Sequence, residues 1–354
     1  MRARLDPDVL YRIPSVYYDG EGFHVSPDGS KVAFAWNKTG QWQIHVRDLK
    51  GDDFYQLTTG SESKFSPRFS PDGKRIAYAQ DYQGDEKFDI FVVDIHSKQS
   101  QNITPNTDEA IYPFIRWSPD RSKVAFASNR TGKYSVYSMP SSGGEVSLLC
   151  DHKYADSDPR WSPDGKLVMF TSMTEGQDHS VFIVPASGEV PLRLSDKNGQ
   201  LDAWMPDWSP DGKCIAFAST SRGMSDIGIY DLAAQEVEWL TDSTHECYDP
   251  CWSPDGSSLA YRENHDGDVV ILLHRIRGEK RAFQVERGIH TQLAFTPDSR
   301  HLVFTFSGPR RPADLWMLDI KEGKPRQMTD SLPASMDPNL FVTPTVVRYG
   351  SVGG

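Results

Sequence analysis

Ser70-Pro71-Asp72-Gly73, preceded by Pro67-Arg68-Phe69 and followed by Arg75-Ile76-Ala77-Tyr78-Ala79, is the stretch from which the rest of the chain can be read. Proline presets φ at about −65° for a turn, aspartate can bond its own backbone, and glycine accepts positive φ. The run 75–79 is nearly continuous in apolar residues, which predicts a strand buried on both faces. A polar loop from Asp81 to Lys87 leads to a further strand, Asp89-Ile90-Phe91-Val92-Val93-Asp94. A fourth strand ends at Gln101-Asn102-Ile103-Thr104.

The same tetrapeptide, or a near copy, starts at Ser26, Ser118, Ser162, Ser209, Ser253 and Thr296. Two copies lack the glycine and carry Arg121 and Ser299 there. Successive starts lie 44, 48, 44, 47, 44 and 43 residues apart. That period matches a four-stranded propeller blade of roughly 40–45 residues. Third-strand cores recur as Ile44-His45-Val46, Val136-Tyr137-Ser138, Val181-Phe182-Ile183, Ile227-Gly228-Ile229, Val270-Ile271-Leu272 and Leu315-Trp316-Met317. Fourth strands end at Leu57-Thr58, Leu194-Ser195, Leu240-Thr241 and Met328-Thr329, and no segment sustains a helical period.

The residue before each turn is Val25, Phe69, Trp117, Trp161, Trp208, Trp252 or Phe295. Large flat rings there are expected to fill the wedge between neighbouring blades, with an indole N–H finding a partner. Such units cannot bury their faces alone, and radial repetition solves both the core and the edge problem. The expected fold is all-β, a seven-bladed β-propeller of four-stranded antiparallel blades over residues 23–330. Residues 1–22 form an N-terminal flank and 331–354 a linker-like tail. Length alone, 354 residues, suggests two domains; the repeat replaces that reading. Each unit supplies its own four strands, so side-chain packing alone is expected to close the ring.

Composition narrows the function. Thirty-eight Lys and Arg against 49 Asp and Glu give a net charge of −11. That lacks the basic footprint of a nucleic-acid binder. Hydrophobic residues at 38% and aromatics at 11% exclude intrinsic disorder. No apolar run reaches the roughly 18–20 residues of a membrane span. Met1-Arg2-Ala3-Arg4-Leu5-Asp6-Pro7-Asp8 has no apolar stretch of a secretory signal. Cys150, Cys214, Cys247 and Cys251 are too few for a disulfide framework. A cytoplasmic globular protein, with no nucleic-acid or membrane partner, is expected.

The repeat resembles the PD40 type of the TolB-like propellers and of the N-terminal propellers of prolyl oligopeptidase family serine peptidases. Leu10-Tyr11-Arg12-Ile13-Pro14-Ser15-Val16, with Val25 to Phe34, resembles the entry to the acylaminoacyl-peptidase-like members. Asp330-Ser331-Leu332-Pro333, Met336-Asp337-Pro338 and Phe341 to Tyr349 resemble the segment that joins such a propeller to its α/β-hydrolase domain. In those enzymes a proline and an aromatic-Asp-Gly turn usually follow; here Gly350-Ser351-Val352-Gly353-Gly354 follows. The resemblance implies a non-catalytic, substrate-gating propeller whose partner is an α/β-hydrolase domain and whose traffic is peptides. A stand-alone TolB-like scaffold that binds another protein is the alternative. A propeller lyase or lactonase is a third and weaker reading.

The motifs that carry chemistry are lacking, as expected of a non-catalytic chain. A nucleophile elbow needs Gly-x-Ser-x-Gly, and that pentapeptide does not occur in these residues. P-loop, dinucleotide and His-Glu-x-x-His motifs are also lacking. No catalytic, cofactor or metal residue is therefore assigned. His245, Cys247 and Cys251 lie close in sequence, but Cys251 occupies the ordinary strand position of Arg68, Arg116, Arg160 and Asp207. The acidic residues leading into each first strand are better candidates. Glu62, Glu109, Asp158, Asp202, Glu246 and Asp249, with Asp108 and Asp156 beside them, share one phase of the repeat. They are expected to rim a channel and to attract a cationic group such as a peptide N-terminus.

Overall fold

Second strands explain why the chain folds as repeated sheets. In a strand, successive side chains face opposite sides. Val32, Phe34 and Trp36 point one way while Ala33 and Ala35 point the other, and all five are buried. Ile76 and Tyr78 oppose Ala77 and Ala79, and Ile215 and Phe217 oppose Ala216 and Ala218, in the same fashion. Each such strand thus presents bulk to the preceding unit and a shallow alanine face to the next.

The computed structural model describes residues 7–82, 84–105, 109–174, 178–196 and 199–347. These residues form seven four-stranded antiparallel units, at 23–56, 63–102, 116–148, 155–193, 204–239, 246–283 and 289–327. Within unit two the strands are Ser63–Phe69, Arg75–Asp81, Asp89–Asp94 and Ser100–Asn102, paired in that order. Units six and seven also share one parallel pairing, Val269 with Ile289. The described residues hold only a four-residue helix, Pro7–Leu10, and one short 3₁₀ turn, Pro338–Leu340. No helix among them is long and apolar enough to cross a membrane.

Seven apolar clusters hold the units together, and each draws on two neighbours. Phe34 and Trp36 of unit one pack with Val303 and Leu315 of unit seven, so the first and last units are in contact as well. Burying one such ring contributes about 1.5–3 kcal/mol.

The Ser-Pro-Asp-Gly turns are a second element repeated in every unit. In every unit the Ser or Thr hydroxyl donates to the Asp carboxylate, at 2.5–2.7 Å. That same hydroxyl accepts a backbone N–H five residues on. The serine hydroxyl and the neighbouring amide hold the Asp120 carboxyl down at about 2. Gly29 has φ +67° and a side chain there would lie 3.1 Å from Pro297 of unit seven. Gly165 and Gly212 face the prolines of their preceding units in the same way, Pro119 and Pro163. Three of the four expected indole contacts occur: Trp117, Trp161 and Trp208 donate from Nε1 to the carbonyls of Arg68, Arg116 and Arg160 in the preceding unit, whereas Trp252 Nε1 is buried without a hydrogen-bond partner.

One expectation fails. Side-chain packing alone was expected to join the two ends, yet the N-terminal flank adds backbone bonds to both. Val16 bridges Trp36 of unit one and donates its N–H to Ala313 O of unit seven at 2.8 Å. Tyr17 N–H donates to Ala35 O, and Ala35 N–H to Gly22 O. The flank carries no repeat, so its sequence gives no phase from which a strand could be read.

Candidate binding channel

First strands line a cavity of about 950 Å³. Its wall runs from the turn prolines Pro27, Pro71, Pro210 and Pro254 to Tyr18 and Ile289. A recurring irregularity aims side chains into it. The first strands of units two, four, five, six and seven slip register against their second strands. At each slip one residue takes a left-handed conformation: Ser66, Asp158, Met205, Asp249 and Gln292, with φ of 42–56°. Non-glycine residues rarely adopt it, and β-bulges of this kind re-aim side chains. Asp158, Met205, Asp249 and Gln292 line the cavity as a result.

Two residues further along each strand lies a second tier. His24, Arg68, Arg116, Arg160, Asp207 and Cys251 occupy that position in units one to six, and all six line the cavity. The charged members pair in sequence around the wall. Glu21, from the N-terminal flank, is held by both Arg68 and Arg116. Arg116 also reaches Asp158 at 2.7 Å, and Asp158 reaches Arg160 at 2.8 Å. Arg160 approaches Asp207 at 3.4 Å, and Asp207 Oδ2 accepts the Trp252 N–H at 2.8 Å. Asp249 pairs with Arg262 at 3.1 Å.

Burial and pairing set the protonation of this wall. Burial works against ionisation of Glu21, but Arg116 and Arg68 outweigh it and hold the carboxyl well below the usual carboxylate range. Burial lowers Arg68 to about 10 against the pull of Glu21, which leaves it charged at neutral pH. Burial, aided by Arg68 and Arg116, pushes His24 down to about 3, so its ring is neutral. Its Nδ1 accepts the Phe69 N–H. Burial raises Asp207 to about 6 even though Arg160 opposes the shift. The wall is therefore a band of paired, alternating charge in which Asp207 titrates nearest to neutral pH. Burial holds its cysteine, Cys251, well above its usual value and so in the thiol form.

The six acidic candidates do not stay together. Asp158 and Asp249 line the cavity, each tied to arginine. Asp202 instead accepts the Thr220 hydroxyl and the His179 N–H. Glu246 accepts from Asn264 at the surface, and Glu62 accepts from the Ser61 hydroxyl. Glu109 is half-buried and does not line the cavity. Asp108 and residues 348–354 lie outside the described residues. The arginine tier was missed because each of its members looks like an ordinary strand residue. Its signal was the fixed offset of two residues before the turn serine.

Residues 22–205, 61–247 and 197–343 match the model of the TolB beta propeller domain, PD40. A 166-residue stretch is 27% identical to dipeptidyl-peptidase 5 of Porphyromonas gingivalis, covering 42% of this chain and 24% of that protein. The chain matches less than half the length of such curated relatives. Among solved structures, a puromycin-hydrolyzing peptidase of Mycobacterium tuberculosis superposes with a TM-score of 0.75 at 14% identity. The superposition covers 92% of this chain and 54% of that one. Pyrococcus horikoshii acylaminoacyl peptidase gives 0.69 at 16% identity, covering 93% and 54%. The fold resembles the propellers of these peptidases.

Proposed function

This chain belongs to the TolB β-propeller domain family, and from that premise we propose that its seven units are the blades of a closed propeller, the non-catalytic, substrate-gating half of a prolyl-oligopeptidase-type peptidase. Its channel admits short peptides and rejects folded chains. The observation that carries this reading is the charged wall of the 950 Å³ cavity. That volume falls at the upper end of the roughly 300–1,000 Å³ usual for ligand sites. Arginines alternate with carboxylates along it, so both ends of a peptide find a partner. A peptide carboxylate would be received by Arg68 and Arg116 in exchange for Glu21, which holds both of them in the free chain.

Contacts between units one and seven support the ring, and the sequence supplies no nucleophile elbow. A cytoplasmic location is part of the proposal, supported by four free cysteines.

The test uses the purified chain. It is incubated with acyl-peptide and prolyl-peptide substrates and, separately, with a serine-directed fluorophosphonate probe. Absence of turnover and of labelling is the expected result. Hydrolysis that the probe blocks would refute a non-catalytic role.

A further inference from the structure

Two residues after the fourth strand of units one, two, five and seven stands a threonine: Thr58, Thr104, Thr241 and Thr329. Each hydroxyl accepts a third-strand N–H, from Ile44, Ile90, Ile227 or Leu315, at 2.8–2.9 Å. Each also donates to the side chain just before that residue, Gln43, Asp89, Asp226 or Asp314. Unit three departs from this lock. Cys150 stands at the threonine position and Ser135 at the position of the acid. A thiol is a weak donor, so the exchange gives up a buried hydrogen-bonded pair without gaining one inside the unit.

The thiol instead joins two groups of the next junction. The ligand atoms of Cys150, His152 and Asp156 all lie within 4.8 Å of one another. Asp156 sits on the first strand of unit four with a fully buried side chain. Its Oδ1 accepts the Ser172 hydroxyl at 2.6 Å and lies 3.3 Å from His152 Nε2. Its Oδ2 is buried with no hydrogen-bond partner. Buried polar atoms are almost always paired, so a missing partner is implied. Phe170 and Phe182 wall the imidazole. Lys133 lies nearby and is engaged with Ser135 and Asp151. Burial holds the Asp156 acid up at about 7, holds the Cys150 thiol up at about 12 and keeps His152 below its usual value.

The geometry points to a zinc-type divalent-cation site between units three and four, with Cys150 Sγ, His152 Nε2 and an Asp156 carboxylate oxygen as ligands and a fourth position open to water. Thiolate with imidazole selects zinc over magnesium or calcium. Binding displaces the Cys150 thiol proton, and the Asp156 proton where it is present, to solvent, and the resulting thiolate and carboxylate neutralise the double charge, which suits a buried site. Ligand atoms around a tetrahedral zinc lie roughly 3.3–3.6 Å apart by its usual bond lengths, so a contraction of about 1 Å completes the shell. Asp156 Oδ2 gains its partner. His152 Nδ1 takes up the ring proton and gives up its contact with the Tyr154 amide. Asp151 and Lys153, on either side of His152 in the chain, are exposed. The ion would staple the trailing end of unit three to the first strand of unit four.

The full chain, stripped by chelation, is dialysed against zinc and then cobalt(II), with metal per chain and cobalt absorption as readouts. One equivalent of zinc, and a thiolate-to-cobalt charge-transfer band, are expected. Cys150→Thr restores the residue of units one, two, five and seven and so preserves the fold, as circular dichroism will verify. It is expected to abolish the band and weaken zinc roughly ten-fold or more, and Ser172→Ala to weaken zinc roughly ten-fold. Cys247→Ser is expected to change neither readout. Substoichiometric zinc, a band that survives Cys150→Thr, or a band lost in Cys247→Ser would overturn the site.

Discussion

Replacing Glu21 with glutamine removes one negative charge from between two buried arginines. The Glu21 side chain is 15% exposed, and those of Arg68 and Arg116 are 8% and 14% exposed. Arg116 keeps Asp158 as a counterion, whereas Arg68 keeps only the carbonyls of Phe23 and Pro67. Breaking a buried ion pair from one side costs about 3–5 kcal/mol. Glutamine retains an acceptor, which places Glu21→Gln near the lower end, about 3 kcal/mol. At about 2.1 cal/mol/K per residue of unfolding entropy, that is about 4 °C in Tm for this chain. The effect has a defined pH dependence. Glu21 titrates below its unfolded value, so the folded state binds fewer protons. Its contribution is complete above about pH 4.3 and is lost as pH falls through the lower folded value. Guanidinium unfolding of both proteins, followed by tryptophan fluorescence and circular dichroism, measures the difference. Adding Arg68→Met is expected to cost less than the sum of the single changes, because the orphaned charge is removed. A Glu21→Gln protein within about 0.5 kcal/mol of the parent at pH 7 would refute the assignment of Glu21 as the counterion.

Other consequences are equally specific. Gly29→Ala puts a side chain into a left-handed turn and against Pro297, and is expected to cost about 1–2 kcal/mol by chemical denaturation. Gly40→Ala shares the positive φ but meets no atom within 4 Å, so it should cost less. Phe34→Ala empties the contact between units one and seven and should cost about 3–5 kcal/mol in the same assay. Asp207 keeps its proton to about pH 6 in the folded chain and to about 3.9 when unfolded. Its raised value therefore makes the parent lose stability as pH rises between those limits. The stability of Asp207→Asn relative to the parent should rise over that interval and level off above it. A flat difference across it would contradict the burial of Asp207.

The parts of this molecule that were legible are those that repeat. The serine, proline and aspartate of each turn recur at a near-constant period and build the same hydrogen bonds seven times, so one copy predicts the rest. The tryptophans were legible because their position before the turn is fixed. The channel was not, because its positions repeat in place but not in residue type. The offset that carries Arg68, Arg116 and Arg160 also carries His24, Asp207 and Cys251. A left-handed residue upstream of it breaks the simple alternation of faces. Acidic residues in the loops were easier to see, yet Asp202 and Glu246 bond locally. The paired carboxylates are half of a mixed-charge wall, not a ring of one sign. Val16 and Glu21 belong to a flank with no period, so nothing in their neighbours announced a tie between the two ends. Metal ligands were sought where His245, Cys247 and Cys251 crowd together. There Cys247 bonds Glu263, and Cys251 packs toward unit seven. Cys150, His152 and Asp156 lie just as close in sequence, but they straddle the junction of units three and four, and that junction turns their ligand atoms toward one another.

Titration calorimetry of short, uncapped peptides against the chain addresses the gating channel most directly. Binding without hydrolysis, lost when Arg68 and Arg116 are both replaced by methionine in a protein that remains folded, is the predicted result. Undiminished binding in that variant, or no peptide binding by the parent chain, would contradict it.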